Sequence, residues 1–132
     1  MISNPRNGWC DFDLDDFHGG PSYLTDVPAD LLRAFIALFS KGCGVCYCDE
    51  EGTEFTLVMT LYYFYIIEEK EKAVLHVYRD LILRELTKEL ISDIEKDIDG
   101  WAQFIPATDG REIDKHKTEI IALLNELKSI VN

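Results

Sequence analysis

The fold of this protein is decided by the stretch TEFTLVMTLYYFYII, residues 53–67. Threonine, valine, tyrosine, phenylalanine and isoleucine, which favour β-strands, fill most of it. The stretch predicts either one long bent strand or two strands with a turn hidden between them. The charged segment at residues 68–72 predicts a turn into a further strand at residues 73–78, and therefore an antiparallel hairpin.

Upstream of this stretch, the sequence predicts a short strand at residues 43–48, an acidic turn at 49–52 and a helix at 27–41. Thr25 or Asp26 can accept the free amide hydrogens at the helix start, and Pro28 suits its first turn. Gly42 can adopt the left-handed conformation that ends a helix. The helix is therefore delimited at both ends.

The beginning of the chain predicts an irregular lead-in at residues 1–8, followed by a strand. From Trp9 the pattern alternates, with Cys10, Phe12 and Leu14 on one side and acidic residues on the other. This alternation is typical of a half-buried strand.

After residue 80, two apolar stripes at helical spacing predict two helices joined by residues 106–110. Strands grouped together and then helices grouped together indicate an α+β protein. We therefore expect a single domain over residues 1–132. Its architecture would be an antiparallel β-meander with one N-terminal helix and a C-terminal helical hairpin packed on the sheet.

The chain is strongly acidic: it contains 13 Lys and Arg and 25 Asp and Glu, for a formal net charge of -12. Such a field repels nucleic acid and anionic membranes and attracts cationic partners, although it also simply favours solubility. Residues 1–10 lack the basic and apolar pattern of a secretory signal, and the run at 57–67 is too short and polar to span a bilayer. We expect a cytoplasmic protein with reduced thiols.

The candidate metal ligands are Cys43, Cys46 and Cys48, because a Cys-x-x-Cys turn can direct two thiolates at one zinc ion. No second closely spaced pair completes the pattern. The alternative is that Cys46 and Cys48 share the inner face of a strand and pack as small hydrophobic residues. We expect no metal and no cofactor.

Catalytic motifs are not recognisable in the sequence, so we expect no catalytic residues and no enzyme. The histidines stand far apart, and the charged neighbours of His116 predict that it lies on an exposed helix face. An aromatic row at Tyr62, Tyr63, Tyr65 and Tyr78 is either a partly exposed protein-binding surface or is buried under the helices.

Three segments carry a resemblance: Gly8-Trp9-x-Asp11-Phe12, Ser22-Tyr23-Leu24-Thr25-Asp26 and Asp30-Leu31-Leu32-x-Ala34. Together they resemble a group of small bacterial proteins of unknown function. The resemblance implies a bacterial origin, a central β-meander and a late helix containing a tryptophan, and it implies no activity. In its small size and acidity the chain is also similar to the immunity partners of secreted toxins.

The leading hypothesis is a non-enzymatic protein-binding domain, with an immunity-type inhibitor of a cationic toxin as one form of it. The acids expected to bind the partner are Asp11, Asp13, Asp15, Asp16, Glu50, Glu51, Glu68 and Glu69. A structural or regulatory homodimer, formed through the long strand or the last helix, is the second hypothesis. A metal-binding protein using Cys43, Cys46 and Cys48 is the third.

Overall fold

The computed structural model describes residues 1–107 and 109–131. Within them the strands are β1 (Ile2–Arg6), β2 (Trp9–Leu14), β3 (Phe17–Gly19), β4 (Cys43–Asp49), β5 (Glu54–Thr60), β6 (Phe64–Glu69) and β7 (Ala73–Tyr78). The helices are α1 (Val27–Lys41), α2 (Leu83–Glu95), α3 (Ile98–Ala102) and α4 (Gly110–Val131).

The strands form two antiparallel sheets, a three-stranded sheet in the order β1-β2-β3 and a four-stranded sheet in the order β4-β5-β6-β7. The α+β class is confirmed, and the four-stranded sheet is a meander as predicted. Helix α1 has the predicted bounds. The Asp26 side chain accepts from the amide of Ala29, and Gly42 ends the helix at a φ of 83°.

The prediction of an irregular lead-in over residues 1–8 is wrong, because residues 2–6 form strand β1. Ile2 pairs with Phe12 of β2 and is buried. The ammonium group of Met1 donates to the carboxylates of Glu89 and Asp93, both at 2.6 Å. Tertiary contacts with α2 therefore order a segment whose own composition predicts a loop.

The stretch at residues 53–67 contains the hidden turn, at residues 61–63 between β5 and β6. The Thr60 hydroxyl oxygen accepts from the amides of Tyr62 and Tyr63, at 3.3 and 3.0 Å. A threonine side chain that bonds backbone amides two and three residues ahead offers the chain a turn in place of a continued strand.

The prediction of a C-terminal helical hairpin packed on the sheet is wrong in two details. A third helix, α3, lies between α2 and α4; it begins where the Asp97 side chain accepts from the amide of Gly100 at 3.0 Å. The second detail is the layer order. Helix α4 packs on α1, which in turn packs on β4, while α2 and α3 contact β1 of the smaller sheet.

The core lies between the two sheets and beneath α1. The rings of Phe12, Phe17 and Phe55 join the sheets, with centroids 5.0–6.1 Å apart. The ring of Phe35 in α1 packs against the ring of Phe64 in β6, with centroids 6.5 Å apart. All of this packing uses one face of the four-stranded sheet. Across the described ranges, no helix combines the length and the apolar character that a bilayer crossing requires.

Candidate functional site

The outer face of the four-stranded sheet carries two rows of apolar and aromatic side chains, set by the strand register. From β4 to β7, the first row is Val45, Val58, Tyr65 and Val77, and the second is Tyr47, Thr56, Ile67 and Leu75. We call the seven apolar and aromatic members of these rows the open face: Val45, Tyr47, Val58, Tyr65, Ile67, Leu75 and Val77.

The open face is accessible to solvent in the described part of the chain. Leu75 is 60% exposed and Val45 is 56% exposed. The opposite, inner face of the same strands is fully buried at Phe55, Leu57 and Met59. The sheet is therefore covered by the smaller sheet and α1 on one side only.

A row of acids borders the open face at one end of the strands. Asp49, Glu54 and Glu69 occupy neighbouring positions on β4, β5 and β6; we call them the acidic row. The Tyr47 hydroxyl donates to Glu54, and this bond raises the pKa of Tyr47 to about 12. The bonds from Tyr47 and Glu69 lower the pKa of Glu54, and the bond with Glu54 raises the pKa of Glu69.

At the other end of the open face is the aromatic turn between β5 and β6. Tyr62 is 80% exposed, and the Arg79 guanidinium lies over the ring of Tyr63, 5.8 Å from its centroid. Tyr65 is half-buried on the sheet. Tyr78 is buried, and its hydroxyl donates to Asp16 at 2.9 Å. Of the predicted aromatic row, Tyr62 and Tyr63 are thus exposed, Tyr65 partly so, and Tyr78 is not.

The predicted partner-binding acids of the smaller sheet lie away from the open face. The His18 ring lies 2.7 Å from the Asp13 carboxylate and 3.9 Å from that of Asp11. The hydrogen bond to Asp13 raises the pKa of His18. Asp15 and Asp16 form the turn into β3, where Asp16 holds Tyr78. These four acids surround a histidine and a tyrosine of this domain.

The remaining predicted acids divide between structural contacts and the acidic end of the open face. Glu50 accepts from the amide of Gly20 at 2.8 Å and from the Thr53 hydroxyl at 3.1 Å. Glu68 is on the inner side of β6, 3.0 Å from the Lys70 ammonium. Glu51 is exposed at the tip of the β4–β5 turn, and Glu69 belongs to the acidic row. The eight predicted acids therefore do not converge on one site.

The cysteine cluster is not assembled as a metal site. Cys43 points to the exposed outer side of β4, whereas Cys46 and Cys48 point into the core with their sulfurs 4.0 Å apart. The hydrogen bond to Cys46, together with burial, raises the pKa of Cys48, and burial raises the pKa of Cys10 to about 12. The described residues contain no group of three or more His, Cys, Asp or Glu side chains placed to hold a metal ion. Packing of Cys46 and Cys48 as small hydrophobic residues is the arrangement observed.

The prediction for His116 is wrong, because this histidine is buried between α1, α3 and α4. One ring nitrogen lies 2.9 Å from the Ala102 carbonyl oxygen, and the other lies 2.9 Å from the Asp26 carboxylate. Burial opposes the charged ring, but the bonds to Asp26 and Ala102 outweigh it and raise the pKa of His116. A charged ring donates to both oxygens at once, so this pair links the start of α1 to the helices that follow.

A groove of about 670 Å³ lies between β1 and the α2–α3 corner. Its carboxylates already have structural partners within the chain. Asp93 accepts from the ammonium group of Met1, and Asp97 caps α3. The carboxylates of Asp93 and Asp97 in this groove therefore stabilise the fold.

Comparison with known proteins finds no matching family model, no matching curated protein and no matching solved structure. The resemblance to small bacterial proteins through Gly8-Trp9 and its companion motifs stays a prediction.

The open face is the feature that the sequence did not single out, although a signal for it exists. In β4, β5 and β6, apolar residues occupy both alternating sets of positions, as in Val45 and Cys46 or Val58 and Leu57. Such strands require cover on both faces or leave one apolar face exposed. One early helix and a short sheet provide cover for one face only.

Proposed function

We propose that this chain is a non-enzymatic protein-binding domain whose docking surface is the open face together with the acidic row. Its partner is a cationic protein. The observation that supports this most directly is the open face itself, seven apolar and aromatic side chains on one exposed sheet surface. Contiguous exposed apolar patches of this kind mark interaction sites on soluble proteins.

The size of the open face suits a protein partner. Strands about 4.8 Å apart, each rising about 3.3 Å per residue, give four strands of this length a footprint of roughly 20 by 20 Å. With the aromatic turn at residues 61–63, this approaches the lower range of specific interfaces, about 600 Å² per partner. Tyrosine and apolar side chains at the centre, with carboxylates at the rim, match the usual anatomy of such interfaces.

The charge selects the kind of partner. The acidic row and Glu51 place carboxylates at one border of the open face, within a chain of net charge -12. Complementary charge speeds association with a basic protein and disfavours acidic ones. An immunity-type inhibitor that covers the basic surface of a toxin is the form of this function that agrees best with the charge.

Affinity capture from an extract of the cells that make the protein tests this proposal. The bait proteins are wild type, Ile67→Lys on the open face and Ile121→Lys on α4. The two isoleucines are similarly exposed, 36% and 40%, so the second variant is a matched control. We expect wild type and Ile121→Lys to retain the same basic protein at about 50 mM salt and Ile67→Lys to lose it.

The salt dependence of binding is a second criterion. At about 1 M salt, the attraction between exposed charges more than a few ångströms apart is almost completely screened. Retention of the basic protein should fall steeply as the salt concentration rises. Equal retention by all three baits, or retention only of acidic proteins, would overturn the proposal.

A further inference from the structure

Strand β7 is an uncovered edge of the four-stranded sheet. It pairs with β6 on one side, and no described strand pairs with its other side. Its sequence, AVLHVY, contains neither proline nor a charged residue. Val74, Leu75 and Val77 are 41–60% exposed. Proteins normally protect such edges, because unpaired backbone groups there accept a strand from another chain.

The other sheet edges in the described structure carry protection that β7 lacks. At the far edge of the same sheet, α1 packs on β4 so closely that Gly44 lies against the Ala34 carbonyl, and the Asp49 carbonyl accepts from the amide of Ser22 at 2.8 Å. In the smaller sheet, β1 contains Pro5 and an irregular register, and β3 has only three residues. Among the described strands, β7 is therefore a six-residue edge that has none of these protections.

We propose that two copies of this chain associate by antiparallel pairing of β7 with β7, which joins the two meanders into one eight-stranded sheet. A second copy is favoured as the occupant because the strand is complementary to itself. Residues of opposite charge flank β7, with Glu71 before it and Arg79 after it, and a twofold axis brings these two together.

The twofold axis fixes which registers are allowed. Directly opposite residues in an antiparallel pair point to the same face, so the axis must pass through a residue position. Centred on Leu75, it places Leu75 against Leu75 and Ala73 against Val77 of the second copy. These contacts continue the apolar rows of the open face across the interface.

The same register matches charges at both ends of the strand. Glu71 at the tip of the β6–β7 turn lies nearest Arg79 of the second copy. Symmetry repeats this pair, giving two contacts of opposite sign. A register centred on Val74 loses this pair, and one centred on His76 replaces it with Lys72 opposite Asp80 but places two histidine rings against each other.

The net charge of the whole chain does not prevent this association, because the acids are concentrated elsewhere. Residues 70–80 contain three cations, Lys70, Lys72 and Arg79, against two anions, Glu71 and Asp80. The pairing surface is thus close to neutral. The pairing involves the edge of the sheet and does not depend on any partner bound to the open face.

Sedimentation of the purified chain over a concentration series tests the pairing. Leu75→Lys and Leu75→Glu each place two like charges at the axis, while Val45→Lys puts the same charge on the same face at the far edge. We expect wild type and Val45→Lys to approach twice the 15.2 kDa mass of one chain. Each Leu75 variant should remain at the single mass.

Mixing the two Leu75 variants tests the register itself. Lysine then faces glutamate across the axis, so the equimolar mixture should regain the doubled mass. Far-ultraviolet circular dichroism verifies that every variant is folded, which is expected since Leu75 is largely exposed. A wild type that stays at the single mass, a Leu75→Lys variant that still doubles it, or a mixture that fails to recover would each overturn the proposal.

Discussion

Replacing Asp26 by asparagine should destabilise the fold and remove a specific part of its pH dependence. The carboxylate of Asp26 holds the charged, buried ring of His116 and also caps α1. Asparagine is as good a helix cap as aspartate, so the substitution keeps the cap and removes the charge. A hydrogen bond to a charged group contributes about 1.5–3 kcal/mol, so we expect a loss of about 2 kcal/mol at pH 6.5.

The sign of the pH dependence follows from the raised pKa of His116. Below the ordinary histidine pKa, the folded and unfolded chains are both protonated and the full stabilisation is present. Above it, the unfolded chain loses the proton first, so the free energy of unfolding falls as pH rises through the folded pKa. For one proton the slope is at most about 1.4 kcal/mol per pH unit.

Urea unfolding between about pH 5.5 and 8.5, with wild type and Asp26→Asn side by side, measures both effects. The histidine contacts of the smaller sheet, at His18, are the same in both proteins and cancel in the difference. The difference should be at its full value at the acidic end of this range and shrink as the pH rises. Parallel stability curves for the two proteins, or a His116 ring that titrates at or below its ordinary pKa by NMR, would show that Asp26 does not stabilise a charged His116.

Three further predictions concern packing and accessibility. Gly44→Ala should lower the free energy of unfolding by at least about 2 kcal/mol in urea titrations, because the new methyl group collides with the Ala34 carbonyl. Gly110→Ala is the control: its methyl group meets no atom within 4 Å, and it should change the free energy of unfolding by less than about 0.5 kcal/mol. Thr60→Val should lower the free energy of unfolding by about 1 kcal/mol, because it removes the hydroxyl that accepts from the β5–β6 turn. Thr56→Val, on the same face of the same strand, should leave the free energy of unfolding unchanged. Equal effects of the two substitutions would contradict the role given to Thr60. A thiol reagent should modify Cys43 alone in the folded protein and all four cysteines in denaturant, so rapid native labelling of a second thiol would contradict the described burial.

The sequence correctly predicted the helix bounds and the strand alternation that are set by residues close together along the chain. Helix α1 carries its own start and end in Asp26, Pro28 and Gly42, and its bounds were predicted correctly. The alternation at Cys10, Phe12 and Leu14 predicted the buried side of β2 correctly. For α1 the deciding contacts lie within a few residues along the chain, whereas for β2 the alternation shows the apolar side without showing what covers it.

Contacts between distant segments account for what the sequence did not predict. The burial of His116 depends on Asp26, 90 positions away, and the order of β1 depends on Glu89 and Asp93. The open face depends on which side of the sheet α1 covers, which no single strand encodes. The predicted partner-binding acids were those of the first strand and the strand turns. In the structure most of them contact other residues of the chain, Glu69 belongs to the acidic row and Glu51 is exposed at a turn.

Site-specific photo-crosslinking from the open face determines directly whether this surface docks a cationic protein. A photoreactive side chain is placed at Ile67 or, as the control, at Ile121 on α4, and each protein is irradiated in the cells that make it. We expect a covalent adduct with a basic protein from position 67 and none from position 121. An adduct of equal yield from both positions, an acidic partner, or no adduct from position 67 would contradict it.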